Sequence, residues 1–351
     1  MSVMGTHRRW WAPGRSARAG WRAWRRGDVD EAERLAALAG PLDRAGLLYL
    51  TNVVRGRMRV DLPVRADLDR VTALPFADHP LAPYLSAVEA TLDGHRLLAH
   101  IDTGGPFVVM GTARAEALGI PLVPMGRQRH GVTRTEAASG VASELRLGDA
   151  TLTDVPVTAM PTLRDEQDVV IIGTGVLRRF LATVDHPGRR LLLSPRLDPA
   201  ATADHLALLG HLPEVARIPF YLWGDHYMFA RGGFGSRRNL NFFIDSGFVY
   251  LADDDTSPSG QAALYTTAQR YRSWGVPTRV AAGPHFRADR PLWLGPLRQD
   301  DQLVATAPTR RVPWAAFGGV RVDGLLSNGF LANYAWTLDF DRHEYTFRQP
   351  T

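Results

Sequence analysis

The sequence predicts a mainly β protein built as two lobes, with a small α-helical extension at its N-terminus. Three observations carry that prediction. From about residue 65 the chain is a series of short β-branched and aromatic runs punctuated by Gly, Pro and Asp. The stretch after Gly175 returns in altered form after Gly329. Before residue 65 the apolar residues fall at helical spacing.

The extension, residues 1–64, reads as a basic arm and a helical hairpin. "SARAGWRAWRRGDVDEAERLAALAG" spaces its apolar residues by three and four, Gly27 breaks the period, and Asp28 or Asp30 stands where an N-cap is needed. A second helical stretch follows in "PLDRAGLLYLTNVVRG". The segment "GDVDEAERLAALA" resembles half of a tetratricopeptide repeat, in one weak copy. Such repeats need about three units to bury a core, so the hairpin is expected to pack on the main body. Trp10, Trp11, Trp21 and Trp24 stand among arginines, a mixture that suits nucleic acid or an anionic membrane surface. An amphipathic helix with Trp inward and Arg solvated accounts for the same pattern, and we read it that way.

The β region announces its hairpins. "YLSAVEATLDGHRLLAHIDTGG" places two strands around Asp93-Gly94, a pair favoured in type I′ turns, and "VASELRLGDATLTDVPVTAM" repeats the design around Gly148-Asp149. Residues 195–215 make a connector, after which strands resume near "ARIPFYLWGDHYMFARGGFG". These boundaries set a first lobe at 65–198 and a second at 199–351.

Composition removes several chemistries. The 351 residues include no Cys and no Lys; all 41 basic residues are Arg. Disulfides, thiolate nucleophiles, Cys-based zinc sites, Schiff bases and a P-loop lysine are therefore excluded. The net charge of +5 resides in the arm: the first 27 residues hold seven Arg and no acid, leaving 34 Arg against 36 acids elsewhere. The arm lacks the apolar core of a secretory signal, and no run of about 18 apolar residues occurs, so a cytoplasmic protein without a membrane span is expected. The His residues show no zinc-ligand spacing, Asp253-Asp254-Asp255 reads as a solvated turn, and "GTGVLR" lacks the third glycine of a nucleotide loop. No metal or cofactor is implied.

The chemistry lies in two interrupted strands. "HIDTGGPFVVM" places Asp102-Thr103-Gly104-Gly105 inside an apolar run, and "NFFIDSGFVY" places Asp245-Ser246-Gly247-Phe248 in another. Taken singly, either is a polar turn. They sit, however, in a repeated frame. "GVLRRFLATVDHPGRRLLL" from Gly175 and "GFLANYAWTLDFDRHEYTF" from Gly329 align over 19 positions without a gap, with Gly175/Gly329, Leu177/Leu331, Thr183/Thr337 and Asp185/Asp339 identical. Each half reads as strand, Asp-(Thr/Ser)-Gly, long β region, apolar pair, Gly-rich turn, short helix and Asp-containing hairpin.

This layout resembles the bilobal aspartic peptidases of the pepsin/retropepsin type. "IDTGG" and "IDSGF" match their active-site loops, and "VVIIGTGVL" and "VDGLLSNGFL" match the elements that brace those loops. The resemblance covers about residues 85–348. It implies a two-lobed β fold, a monomer, and hydrolysis of an extended peptide by Asp102 and Asp245 sharing one proton and one water. It further implies that Thr103 and Ser246 bond across to the opposite loop, while Gly104 and Gly247 allow close backbone approach. Two positions depart from the pepsin pattern: Gly105 and Phe248 stand where a hydroxyl residue follows the glycine, and Phe248 is expected to narrow the cleft. Ser327 replaces the glycine found at 173. A flap is expected near 127–140, with His130 or Thr133 at its tip. Two other readings keep these residues: acid–base chemistry (cyclisation or isomerisation) on a small metabolite, or a non-catalytic binding protein docking through its N-terminal helices.

Overall fold

The computed structural model describes residues 15–54, 64–78, 84–130, 133–161, 169–223, 226–248, 261–275, 285–307 and 321–350. The arm with Trp10 and Trp11, and Asp253–Asp255, lie outside the described residues.

Three helices open the chain: α1 (Arg15–Arg25), α2 (Val29–Ala36) and α3 (Pro41–Val54). This is one helix more than a hairpin. The break falls at Gly27, whose φ of +73° suits glycine, and Asp28 caps α2 by accepting from the Glu31 amide at 3.2 Å. Ala23, Trp24, Ala32, Leu35 and Leu47 bury one face against Phe229 of the main body, with Trp24 6.2 Å from Trp223. Trp21 is half-buried and donates to Asp43 at 2.8 Å.

The first lobe follows: β1 (Arg65–Asp67), β2 (Thr72–Ala77), β3 (Ala87–Leu92), β4 (His95–Asp102), β5 (Val108–Met110), α4 (Thr112–Ala117), β6 (Val123–His130), β7 (Thr133–Leu147), β8 (Ala150–Ala159), β9 (Val169–Gly173) and α5 (Thr174–Leu177). Asp93 and Gly94 both take positive φ, as the type I′ turn between β3 and β4 requires. β4 runs parallel to β9, β5 lies antiparallel to β9, and β5 runs parallel to β8. The apolar run of β9 fits that place, because a strand flanked on both sides and covered on both faces needs no polar alternation.

β10 (Phe180–Asp185), β11 (Arg190–Pro195), α6 (Pro199–Leu208) and β12 (Glu214–Trp223) lead to the second lobe. It holds β13 (Tyr227–Phe234), β14 (Arg237–Asp245), β15 (Leu264–Thr267), α7 (Ala268–Ser273), β16 (His285–Arg287), β17 (Leu292–Leu294), β18 (Leu297–Gln299), β19 (Leu303–Ala307), β20 (Gly324–Ser327) and α8 (Asn328–Leu331). β21 (Ala335–Asp339) and β22 (Glu344–Arg348) close the chain. The pairings of the first lobe recur: β14 is parallel to β20, β15 antiparallel to β20, and β15 parallel to β19.

Six strands join the lobes in the antiparallel order β2-β11-β10-β21-β22-β12. At its centre Thr183 sits directly opposite Thr337, and their hydroxyls meet at 2.6 Å. From α6, the fully buried His205 bonds Thr183 at 2.7 Å and Ser194 at 2.9 Å. One hydrophobic core continues through this sheet, from Val88 and Ile101 to Trp336 and Phe347.

Candidate active site

β4 and β14 each end on an aspartate, and each is gripped by a buried parallel neighbour: Asp102 pairs with Gly173, Asp245 with Ser327. The loops that follow face each other. The Thr103 amide donates to Ser246 Oγ at 3.1 Å, and the Ser246 amide donates to Thr103 Oγ1 at 3.0 Å. Each hydroxyl then donates onward, Thr103 to the Ile244 carbonyl at 3.0 Å and Ser246 to the Ile101 carbonyl at 3.1 Å. Both side chains are buried, so six polar groups (two amides, two hydroxyls and two carbonyls) are paired by four hydrogen bonds in one reciprocal lock. Thr103→Val keeps the shape but strands the Ser246 amide and the Ile244 carbonyl. The expected cost is on the order of 2–6 kcal/mol, from about 1–3 kcal/mol per unsatisfied group. Urea unfolding measures it, and a change under about 0.5 kcal/mol, the level of an ordinary surface substitution, would contradict it.

The lock forces the carboxyl groups together. A Cβ on Gly104 would lie 2.8 Å from the Asp245 carboxyl carbon, and one on Gly247 would lie 2.1 Å from that of Asp102. Each carboxylate also accepts from its own loop: Gly104 N–H to Asp102 Oδ1 at 2.7 Å and Gly247 N–H to Asp245 Oδ1 at 3.1 Å. The pKa of Asp245 is raised well above the usual carboxylate range. Burial is the main cause, followed by the charge of Asp102 and the hydrogen bond with it; the amides of Gly247 and Phe248 pull the other way. Burial and the nearby second carboxyl group therefore favour a proton on the pair.

The remaining sequence-selected residues fall as follows. Gly105 is buried: its carbonyl accepts from the Thr174 amide at 3.0 Å, and a Cβ there would meet Ile171 at 3.0 Å. Phe248, expected to narrow the cleft, has its ring 5.1 Å from Tyr265 and packs on Phe243, Val322 and Leu325 of its own lobe. His130 and Thr133 are register partners at the ends of β6 and β7, with residues 131 and 132 outside the described residues.

Two braces were not singled out from sequence. Thr174 Oγ1 donates to the Thr103 carbonyl at 3.0 Å. Asn328, at the matching place in the second lobe, donates to the Tyr84 carbonyl at 2.5 Å. The signal was available, since both polar residues stand two positions after the apolar pairs Ile171-Ile172 and Leu325-Leu326. Ser327 also differs from expectation. A Cβ at Gly173 would collide with the Gly105 carbonyl oxygen at 2.2 Å, so glycine is required in the first lobe. In the second lobe Ser327 fits, bonds the Ala262 carbonyl through Oγ, and caps α8 by accepting from the Gly329 amide at 3.2 Å.

Among the described residues no group of three or more His, Asp or Glu is placed to hold a metal ion, and no helix is long and apolar enough to cross a membrane.

Against known proteins, residues 88–176 match the family model described as aspartyl protease. That segment runs from β3 into α5 and includes Asp102. The first lobe is similar to aspartyl proteases. Among solved structures, a retropepsin-like aspartic protease from Rickettsia conorii is 14% identical, over 38% of this chain and 96% of that one, with a TM-score of 0.28. No curated protein matches the chain.

Proposed function

We propose that this chain is an aspartic-type peptidase whose lobes, residues 65–198 and 199–351, arose by duplication and contribute one acid each, Asp102 and Asp245, to a single dyad. The observation that carries the reading is the reciprocal Thr103–Ser246 lock, which sets two Asp loops 143 residues apart face to face. One chain supplies both acids, so a monomer suffices.

Two carboxyl groups this close cannot both ionise, and the pair titrates as a unit. In the working state the pair of Asp102 and Asp245 holds one proton. The ionised carboxylate takes a proton from a water between the lobes as that water attacks the peptide carbonyl. The protonated one donates to the carbonyl oxygen as negative charge develops there. Collapse of the tetrahedral species returns a proton to the leaving nitrogen. An extended substrate would be held by strand-like backbone pairing in the interlobe cleft.

The test uses the full chain with Asp102→Asn and Asp245→Asn on a diverse peptide library, with a statine-type inhibitor as control. Each variant is expected to lose cleavage by about a thousandfold or more, the general acid–base contribution of 10²–10⁴ being shared by the pair. A wild-type protein that cleaves nothing, or a variant that still cleaves, overturns the proposal. Because the pKa of Asp245 is raised, its proton persists above the ordinary carboxylate range, and the active window is expected to extend toward neutral pH. A pH–rate profile confined below about 4 would contradict this.

The same shift has a stability consequence. The folded state binds the Asp245 proton more tightly than the unfolded chain does. That contribution is present below the unfolded pKa of 3.8 and is lost as pH rises through the folded value. At neutral pH the group is therefore a burden, and Asp245→Asn is expected to raise Tm at pH 7 while leaving it nearly unchanged at pH 3. Calorimetry at the two pH values decides it; equal shifts at both would contradict it.

A further inference from the structure

At the other end of β14 from Asp245, about 25 Å away at roughly 3.3 Å per residue, four arginines converge. A cavity of about 300 Å³ lies between the C-terminal turn of α1, the β13–β14 turn and the end of α7, and Arg26, Arg237, Arg238 and Arg321 line it. Asp323 is the one acid in its wall, and it is already neutralised. The Arg321 guanidinium holds it at 2.6 Å, Arg270 stands 3.7 Å away, and the Asn241 amide donates to it at 3.0 Å. Among the described residues, the remaining three arginines have no carboxylate among their bonds. Arg237 donates to the Ser273 carbonyl at 3.4 Å and Arg238 to the Gly235 carbonyl at 2.6 Å. Glu31 lies near enough to feel the charge of Arg26, but its carboxylate is held by Arg34 at 2.7 Å.

Three positive charges thus share one recess without a counter-charge among the described residues. The Arg238 guanidinium carbon lies over the Trp293 ring, 3.9 Å from its centroid. That stacking fixes the group and leaves its in-plane N–H edge to meet an acceptor. Leu240 and Trp274 complete the lining and supply an apolar wall.

We propose that this recess binds a phosphoryl dianion, either free phosphate or the phosphate of a small organic monoester. Guanidinium forks match phosphoryl oxygens bidentately, and a dianion offsets the charge that the wall leaves unbalanced. The cavity is shared between the helical extension and the second lobe, which are already tied there: the Arg321 amide donates to the Arg25 carbonyl at 2.9 Å, and Arg231 bonds the Gly27 carbonyl. A bound phosphate would add a further bridge between them.

The test is calorimetric titration and thermal shift of the full chain with inorganic phosphate and, separately, phenyl phosphate, at constant ionic strength. Wild type is expected to bind saturably with a rise in Tm. The Arg26→Gln/Arg238→Gln double variant, checked for an unchanged circular dichroism spectrum, is expected to bind at least tenfold more weakly. Arg342→Gln, remote from the cavity, is expected to leave the affinity unchanged. Tighter binding of phenyl phosphate identifies an organic monoester that uses the apolar wall; equal affinities identify the free anion. The proposal is overturned by no saturable binding of either, by equal affinity in the double variant, or by binding of single-stranded DNA alone.

Discussion

Gly247→Ala is expected to abolish peptide cleavage in a protein that still folds. The added Cβ would stand 2.1 Å from the Asp102 carboxyl carbon and 2.5 Å from both of its oxygens, where carbon atoms ordinarily approach to about 3.5 Å. Something must move by more than 1 Å. The carboxyl group can swing out of the dyad, or the two loops can part and stretch the Thr103–Ser246 lock. Either movement separates the acids. A displacement of about 1 Å in a reacting group can cost a hundredfold in rate, and here the shared proton is lost as well, so a fall of about 10³ in kcat is expected. Gly104→Ala should act in the same direction but less severely, because its Cβ would meet the Asp245 carboxyl group at 2.8 Å. Steady-state kinetics on a peptide the wild type cleaves, with circular dichroism to verify folding, is the measurement. A Gly247→Ala enzyme within tenfold of wild type would mean that the loops do not approach as closely as described.

The second large effect is loss of stability in mild acid. His205, on α6, is fully buried against the interlobe sheet, and its pKa is lowered to about 4, first by burial and then by the charges of Arg190 and Arg348. The unfolded chain therefore binds this proton more tightly than the folded one. Stability is complete above the unfolded value of 6.5, declines as pH falls, and levels off below about 4. At 1.36 kcal/mol per pKa unit, the loss is about 3 kcal/mol. A charged His205 would also sit at the node that joins Ser194, Thr183 and Thr337, so the strain falls where the lobes are held in register. Urea unfolding at pH 7, 5.5 and 4.5 reads the loss directly. In His205→Asn the group cannot titrate, and the decline over that interval should shrink by about the same amount even though the starting stability is lower. Parallel pH dependence in variant and wild type would sink the assignment.

Much of the site was legible in the sequence. Asp102, Thr103 and Gly104 and their counterparts Asp245, Ser246 and Gly247 stood out because the chemistry needs those residue types consecutively, and a short motif survives as a string. The β3–β4 turn was legible for the same reason: Asp93 and Gly94 carry the positive φ values within two residues. The helical extension yielded its cap and its break, Asp28 and Gly27, but not its count of helices, since apolar spacing alone does not fix where one helix ends.

Other features depended on groups far apart in the chain. Phe248 was expected to narrow the cleft, and the partners on which its ring packs, Tyr265 and Phe243, are not announced by any local pattern. Ser327 looked like a departure, and only the space around it makes it a helix cap where Gly173 has none to spare. His205 drew no notice in the sequence, since nothing local distinguishes a buried histidine from a solvated one.

By itself, then, the sequence determined the class of fold, the two loops and the residue types each must carry, because secondary structure and motifs answer to neighbours along the chain. The tertiary structure alone decided that the two carboxyl groups meet, that His205 stays neutral, and that four arginines share one recess. Those outcomes depend on how the lobes and the helical extension pack together. Packing sets distance and burial, and these in turn set charge.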